Sequence, residues 1–216
     1  LTVNNTGTLD IQTGSVTMQV SSFTTPGTIA LKATGAADTL VVNGAECEPY
    51  LTVDDMLMQT FPEAVIEGKR IALAALGIGS AVIGVENNKK AAVSALKKAL
   101  AQLNPRESIA IKKLRTRYPQ GAEKQMIASL LGRRVPSGGL PMDVGVIVQN
   151  VGTILAIRDA VAYGMPLFSR YMTVAGKAIA RPGNYKVRLG MRLADIVEEC
   201  GGFVEEPAKI VMGGPM

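Results

Sequence analysis

An asparagine and two glutamates lie close together in the segment 43–50, which reads Asn-Gly-Ala-Glu-Cys-Glu-Pro-Tyr. The apolar run Leu40–Val42 before it predicts a buried strand, and the Glu48–Pro49 step excludes a helix interior. The carboxylates of Glu46 and Glu48 are therefore expected on a loop at the carboxyl end of a strand, where open parallel sheets bind ligands. The alternative interpretation is that these acids are solvated or cap the next helix.

Two further polar segments are predicted at the starts of helices. Gly121-Ala-Glu-Lys124 precedes an apolar helical pattern, and the free N–H groups of a helix N-terminus are a good seat for phosphate. Gln149-Asn-Val-Gly-Thr153 follows a predicted strand and opens a helix, where amide and hydroxyl side chains can bond a phosphate or a ring. The alternatives are an ordinary charged first turn at 123–124 and an N-cap role for Asn150.

Several segments together resemble one protein family. The segment 43–55, Asn-Gly-Ala-Glu-Cys-Glu-Pro-Tyr-Leu-Thr-Val-Asp-Asp, resembles a signature of the C subunits of Rnf-type electron-transport complexes. Those proteins are relatives of the NADH-binding flavoprotein of respiratory complex I. Three more segments match in order, at 118–125, 132–145 and 148–153, and the Gly-Gly-Pro-Met at 213–216 also fits. The resemblance extends from Asp38 to the end of the chain.

This resemblance implies a site for FMN and NADH at one edge of the sheet. The positions that match the family's binding loops are Asn43, Gly44, Glu46, Glu48, Asp54, Gly121, Glu123, Lys124, Asn150 and Thr153. Glu46 or Glu48 is expected beside a ribose or the flavin edge, and Asp54 is a weaker candidate. Lys124 replaces a second acid of the complex I relatives, which leaves Glu123 as the stronger candidate and Lys124 as a phosphate partner. No catalytic or metal-ligating residue is predicted, because the cofactors carry the chemistry.

Residues 1–37 form an atypical threonine-rich segment, in which alternating apolar residues over 9–11 and 16–20 predict short strands. Members of the family carry a glycine-rich Gly-Gly-Ala-Gly-Phe-Pro-Thr loop shortly before the acidic motif, and that loop wraps the flavin. Here residues 22–28 read Ser-Phe-Thr-Thr-Pro-Gly-Thr instead. Either the flavin loop is lost, or the N-terminal segment is not a faithful record of the natural sequence.

Composition restricts the remaining functional classes. The net charge is +5, but the basic residues are dispersed and aromatic residues make up only 4%, which argues against a nucleic-acid platform. Histidine is absent, which argues against hydrolysis with an imidazole base and leaves hydride transfer open. The longest uncharged apolar stretch, 71–85, contains glycines and is too short to cross a bilayer, so no direct membrane insertion is expected.

The cysteines indicate where the chain works and what it lacks. Only Cys47 and Cys200 are present, which suits a reducing cytoplasm, and no Cys-x-x-Cys arrangement exists to ligate an iron–sulfur cluster. In the family the cluster cysteines follow the Gly-Gly-Pro-Met turn. Because the chain begins with Leu1 and stops inside that turn, we expect a piece of a longer protein, with 4Fe–4S clusters only in the full-length form.

The order of predicted elements indicates an α/β fold. Strands are predicted at 39–43, 80–85, 108–114 and 144–149. Helices are predicted at 86–103 (capped at Asn87 or Asn88), 122–131 and 154–163. Their alternation predicts a Rossmann-like parallel sheet flanked by helices over 38–168. Strands at 171–174, 185–188 and 210–212 around a helix at 192–200 predict a small α+β domain over 169–216. By resemblance this is a truncated β-grasp domain of the soluble-ligand-binding type.

The expected function is the electron-input module of a membrane-associated NADH:ferredoxin-type oxidoreductase. Such a module is cytoplasmic, peripheral on the inner face of the cell membrane, and bound to other subunits of a redox complex. Similar chains serve other acceptors, as a cobalamin reductase or a proline-reductase electron donor. The rival is a non-catalytic scaffold, as in the A subunit of sodium-pumping NADH:quinone reductases. The missing glycine-rich loop favours the scaffold, whereas Glu46, Glu48, Glu123 and Asn150 favour the enzyme.

Overall fold

Four short strands are described in the N-terminal segment. The structure, a computed structural model, describes residues 37–103 and 108–216 in full and, before them, only the backbone of these strands. They are β1 (Thr2–Val3), β2 (Thr8–Ile11), β3 (Val16–Gln19) and β4 (Ala30–Ala33), and they pair antiparallel in chain order. The strands predicted from apolar alternation are thus found as β2 and β3, whereas segment 22–28 lies outside the described residues.

A parallel sheet carries the candidate functional residues. Its strands are β5 (Thr39–Gly44), β6 (Ser80–Glu86), β7 (Ser108–Leu114) and β8 (Val146–Asn150), in the order β7-β6-β5-β8. Because β5 is central and covered on both faces, its apolar run Leu40–Val42 is fully buried. The predicted parallel sheet is confirmed.

In the described part of the chain, five helices cover the two faces of this sheet. They are α1 (Val53–Thr60), α2 (Pro62–Leu76), α3 (Lys90–Leu103), α4 (Glu123–Leu131) and α5 (Val151–Tyr163). Leu40 and Val42 pack with α1, α2, α3 and α5 in one core cluster, whereas Val41 packs with α4 in the other. This division follows from the alternation of side chains along a strand. The helices therefore flank the sheet as predicted.

Helix α3 begins later than the sequence indicates. Glu86 is the last residue of β6, and Lys89 supplies the carbonyl that accepts the first helical bond, from Val93 N at 3.1 Å. The predicted cap at Asn87 or Asn88 is therefore wrong. The Asn87 side chain is used elsewhere, because its Oδ1 accepts bonds from the backbone N and the hydroxyl of Thr116, at 3.2 and 2.8 Å.

The C-terminal part is a strand pair followed by a short helix. β9 (Ser169–Val174) and β10 (Gly183–Arg188) pair antiparallel, and we call them the C-terminal hairpin; α6 (Leu193–Glu199) follows. The strand predicted at 210–212 is wrong, since no strand of the described chain pairs with these residues and their side chains are exposed. Among the described helices, none combines the length and the apolar character needed to cross a membrane.

Candidate functional site

The order of the parallel strands creates a crevice at the carboxyl ends of β5 and β8. From β5 the chain passes outward to β6 and β7, then returns to β8 on the other side of β5. The strand order reverses at this point, and ligands of open α/β sheets bind outside the carboxyl ends of the strands at such a switch point. Asn43 and Asn150 are register partners at this point. The sheet therefore brings two of the predicted residues side by side.

Asn43 ties two loops together. Its Nδ2 donates to the carbonyl of Gly121 at 2.8 Å, and its Oδ1 accepts from Ala45 N at 3.0 Å. The loops approach so closely that a Cβ on Gly121 would lie 2.1 Å from the Ala45 carbonyl oxygen. Gly44 is constrained similarly, because its Cβ would lie 2.6 Å from Met58 Sδ. Gly121 is thus required by close packing against backbone, whereas a Cβ at Gly44 would first meet the flexible Met58 side chain.

Glu46 lies against the N-terminus of α1. Its Oε1 accepts from Asp54 N at 3.0 Å and its Oε2 from Asp55 N at 3.5 Å, so it supplies the cap that the Thr52 side chain does not. The alternative of a helix-capping acid therefore describes Glu46 correctly. Burial nevertheless raises the pKa of this carboxyl from 4.5 to about 7, outweighing the two backbone bonds.

Asp54 joins α1 to the end of β8. Its Oδ2 accepts from Asn150 Nδ2 at 2.7 Å, while Asn150 Oδ1 caps α5 by accepting from Gly152 N at 2.8 Å. Burial raises the pKa of Asp54, and the Asn150 bond and the nearby Arg170 charge oppose that rise. Asp54, the weaker candidate by sequence, is therefore central to the crevice.

Arg170 reaches the same place from the C-terminal hairpin. Both of its terminal nitrogens lie 3.4 Å from the Thr153 hydroxyl on the first turn of α5, within hydrogen-bond distance. Thr153 thus contacts the hairpin, and the guanidinium adds a positive charge near Asp54. No sequence motif identifies Arg170, because its proximity to Asp54 depends on how the hairpin packs against α1 and α5.

Lys89 lies among buried carboxyl groups beside β6. Its Nζ is 3.6 Å from Asp55 Oδ2, and its charge lowers the otherwise raised pKa of Glu86 and of Glu46. Glu86 is only 2% exposed, and one oxygen each of Glu86 and Asp55 is buried without a hydrogen-bond partner. The position of Glu86 at the end of an apolar strand could have identified it from the sequence, whereas no motif identifies Lys89.

The remaining predicted residues lie around this centre. Glu48 faces the C-terminal turn, since its Oε2 accepts from Met216 N at 3.3 Å. Glu123 is exposed at the start of α4, where Ala122 provides no side-chain cap. Lys124 donates to the Pro136 carbonyl at 3.3 Å, so its ammonium group contacts the loop that follows α4. The Asn43–Gly121 bond is what holds the start of α4 close to β5.

The geometry defines a crevice rich in hydrogen-bonding groups. Amide, carboxyl and guanidinium side chains meet there, together with the N-termini of α1, α4 and α5. These groups suit a polar, hydroxyl-bearing ligand. Within residues 37–103 and 108–216, no three His, Cys, Asp or Glu side chains are arranged to hold a metal ion.

Comparison with protein families matches both parts of the chain. The Nuo51 FMN-binding domain matches residues 20–159, and the SLBB domain matches residues 171–216. A crystal structure of an NAD⁺-reducing NiFe hydrogenase in the H₂-reduced state is similar, with a TM-score of 0.64 and 26% identity. That similarity covers 76% of this chain and 33% of the hydrogenase chain. The predicted Rossmann-like fold with a following soluble-ligand-binding domain is thus confirmed.

The curated relatives are the C subunits of ion-translocating complexes. That of the Na⁺-translocating ferredoxin:NAD⁺ oxidoreductase complex of Acetobacterium woodii is 43% identical over 206 residues, covering 95% of this chain and 46% of the relative. The C subunit of the proton-translocating complex of Clostridium ljungdahlii is 49% identical over 179 residues, covering 83% and 38%. That of the ion-translocating oxidoreductase complex of Rhodobacter capsulatus is 39% identical over 203 residues, covering 94% and 39%.

These matches agree with the motifs. The chain spans less than half the length of these relatives. The resemblance of segments 43–55, 118–125, 132–145 and 148–153 to Rnf-type C subunits is confirmed by relatives that are up to 49% identical over the matched residues. The chain therefore belongs to the Nuo51 FMN-binding domain family and is similar to the C subunits of Rnf-type ion-translocating oxidoreductases.

Proposed function

We propose that this chain is the electron-input module of a membrane-associated oxidoreductase that works between NADH and ferredoxin. The module binds FMN and NADH at the β5–β8 crevice and accepts hydride from NADH. Electrons then leave to iron–sulfur clusters held outside this chain. Residues 38–168 form the cofactor domain and 169–216 the β-grasp domain. The module works on the cytoplasmic face of the membrane, bound to other subunits of the complex.

One observation carries this proposal: the switch point of a Nuo51-type sheet holds Asn43, Asn150 and Asp54 within one hydrogen-bonded group. Asn150 Nδ2 lies 2.7 Å from Asp54 Oδ2 and 3.5 Å from the Asn43 carbonyl. In related α/β folds, carboxylates at this place accept from ribose hydroxyls, and N–H groups at helix starts bind phosphate. The named relatives that match this chain are oxidoreductase subunits.

The residues fit an FMN. Its ring and ribityl chain need hydrogen-bond partners, which Asn150 and Asp54 provide at the crevice. Its phosphate needs N–H groups or cations, and the uncapped start of α4 provides N–H groups beside Gly121. Lys124 adds a cation there only after its ammonium group leaves the Pro136 carbonyl. When bound, FMN supplies the chemistry, by taking a hydride and passing on single electrons.

The chain's own residues position the cofactors. Asn43 fixes the loop before α4 against β5, and Glu46 fixes the N-terminus of α1. Asn150 holds its amide toward Asp54 because its Oδ1 is already used to cap α5. A pre-organised set of polar groups binds a ligand without first having to be ordered, which favours tight binding.

The second candidate function is a non-catalytic scaffold within a redox complex. It is favoured by residues 22–28, which replace the glycine-rich loop by which members of the family wrap the flavin. In this case the crevice keeps its fold and its hydrogen bonds without binding FMN.

A flavin titration separates the two functions. FMN fluorescence is followed as the chain is added, for the wild type, Asn150→Ala and Glu46→Ala. Gln102→Ala is the matched control, because Gln102 is an exposed amide side chain on the last turn of α3, away from the β5–β8 crevice. Losing one or two hydrogen bonds at the crevice is expected to weaken binding about 5- to 30-fold.

Each result has a definite meaning. Saturable quenching that is weakened by both crevice substitutions and unchanged by Gln102→Ala supports the electron-input module. Quenching that appears only when the family's glycine-rich loop is placed before the acidic motif also supports the module. In that case segment 22–28 is the reason why the present chain does not bind FMN. Absence of quenching in both chains refutes FMN binding and leaves the scaffold.

A further inference from the structure

The C-terminal hairpin contacts both ends of α1. At the N-terminal end, Thr173 and Asn184 bond to Thr52, the residue that precedes the helix. At the other end, the Tyr171 ring packs against Phe61, with ring centroids 6.1 Å apart. Tyr171 and Thr173 are two residues apart on β9 and therefore point to the same face of the hairpin.

The contacts at Thr52 form a small closed network. Thr52 N donates to Thr173 Oγ1 at 3.1 Å, and Thr52 Oγ1 donates to Asn184 Oδ1 at 3.1 Å. Asn184 Oδ1 also accepts from the Thr173 hydroxyl at 2.8 Å, and Asn184 Nδ2 lies 3.4 Å from the Thr52 carbonyl. Thr173 and Asn184 are register partners in the hairpin. The strand pairing thus places both side chains against one backbone segment.

This network lies next to the acidic loop. Thr52 is the N-cap residue of α1, and its carbonyl accepts the first helical bond, from Met56 N at 3.0 Å. The N–H groups of Asp54 and Asp55, in the first turn, are those that hold Glu46. Fixing Thr52 therefore fixes the helix end on which Glu46 is seated and from which Asp54 reaches the crevice.

We propose that Thr173 and Asn184 are positioning residues of the cofactor site, through which the β-grasp domain holds α1 and the acidic loop in their binding geometry. This inference rests on the proposed function. The Arg170–Thr153 contact gives the hairpin a second attachment, at the start of α5 on the other side of the crevice. The two attachments fix α1 and α5 relative to each other.

The test compares FMN affinity with local protection of α1. Thr173→Val keeps the shape of the side chain and removes its hydroxyl, Thr173→Ser restores the hydroxyl, and Asn184→Ala removes the amide. Ser94→Ala is the control, because Ser94 is exposed on α3. Amide hydrogen exchange of Asp54 and Asp55 reports on the start of α1, and exchange in β6 reports on the sheet.

Thr173→Val and Asn184→Ala are each expected to weaken FMN binding at least about fivefold and to speed exchange at Asp54 and Asp55 by a similar factor. Exchange in β6 stays unchanged, and Thr173→Ser and Ser94→Ala behave as wild type. If Asn184→Ala unfolds the chain, the result for the isosteric Thr173→Val alone tests the positioning role.

The failures are distinguishable. A wild-type chain that does not bind FMN, even with the glycine-rich loop in place, overturns the proposed function. Wild-type binding that neither substitution weakens overturns the positioning role alone. Weaker binding with equal loss of protection in β6 assigns the two residues to general stability and also overturns it.

Discussion

Replacing Glu46 by glutamine should flatten the pH dependence of stability. The folded chain raises the pKa of this carboxyl from 4.5 to about 7, mainly because the side chain is half-buried, with the Asp54 charge adding to the effect. Between these values the folded state binds a proton that the unfolded state releases. Stability from this group is therefore fully present below pH 4.5 and is lost as the pH rises through about 7.

The magnitude follows from the two pKa values. A rise from 4.5 to about 7 corresponds to about 3 kcal/mol of unfolding free energy across this range. Since solvent screens a half-buried group, we expect about 1–2 kcal/mol. Glutamine still accepts from Asp54 N but does not ionise, so Glu46→Gln removes this contribution. Any other effect of Glu46→Gln on the free energy of unfolding is the same at every pH. The informative quantity is therefore the slope of the unfolding free energy against pH.

Urea denaturation at pH 5, 6, 7 and 8 measures that slope. Circular dichroism is the signal of choice, because the chain has no tryptophan. Wild-type unfolding free energy should fall by about 1–2 kcal/mol more than that of Glu46→Gln between pH 5 and 8. Glu63→Gln is the matched control, an exposed acid in the first turn of α2. Equal slopes for wild type and Glu46→Gln would refute the burial argument.

Three further substitutions test the packing of the crevice by the same urea assay. Lys89→Met should lower the free energy of unfolding by about 2–4 kcal/mol at pH 8 and by less at pH 5. The substitution removes the cation beside buried carboxylates that protonate at low pH. An equal loss at both pH values would contradict this. Gly121→Ala should lower the free energy of unfolding by about 1–3 kcal/mol, since its Cβ would meet a carbonyl oxygen at 2.1 Å. The control Gly79→Ala, whose Cβ would meet nothing within 4 Å, should leave the free energy of unfolding unchanged. Asn150→Asp should cost about 1–2 kcal/mol at pH 8 by placing a second carboxylate opposite Asp54; an unchanged midpoint would show that the Asn150 amide does not hold α1.

The sheet was predictable because its strands are short apolar runs that alternate with helical patterns. Leu40–Val42 is buried on both faces, and such a run reads as a central strand without knowledge of its neighbours. The helix boundaries were less predictable. The Asn87 side chain bonds to Thr116, which is distant in sequence, so a good capping residue was not used as a cap. Ile210 lies in an apolar run with no strand to pair with among the described residues, which local propensity does not reveal.

The candidate site was predictable only in its residue types and its edge of the sheet. The motifs place Glu46 on a strand-end loop, but they do not show that it caps α1 from several residues upstream while Thr52 is bonded to the hairpin. The fact that Glu46, and not the Thr52 side chain, caps α1 has a physical consequence. A helix capped by its own N-cap side chain has its cap within the local chain, whereas the start of α1 is bonded to the loop before it and to residues more than a hundred positions later. The acidic loop and the C-terminal hairpin therefore both contact the start of α1, and a change in either segment acts on the same helix end.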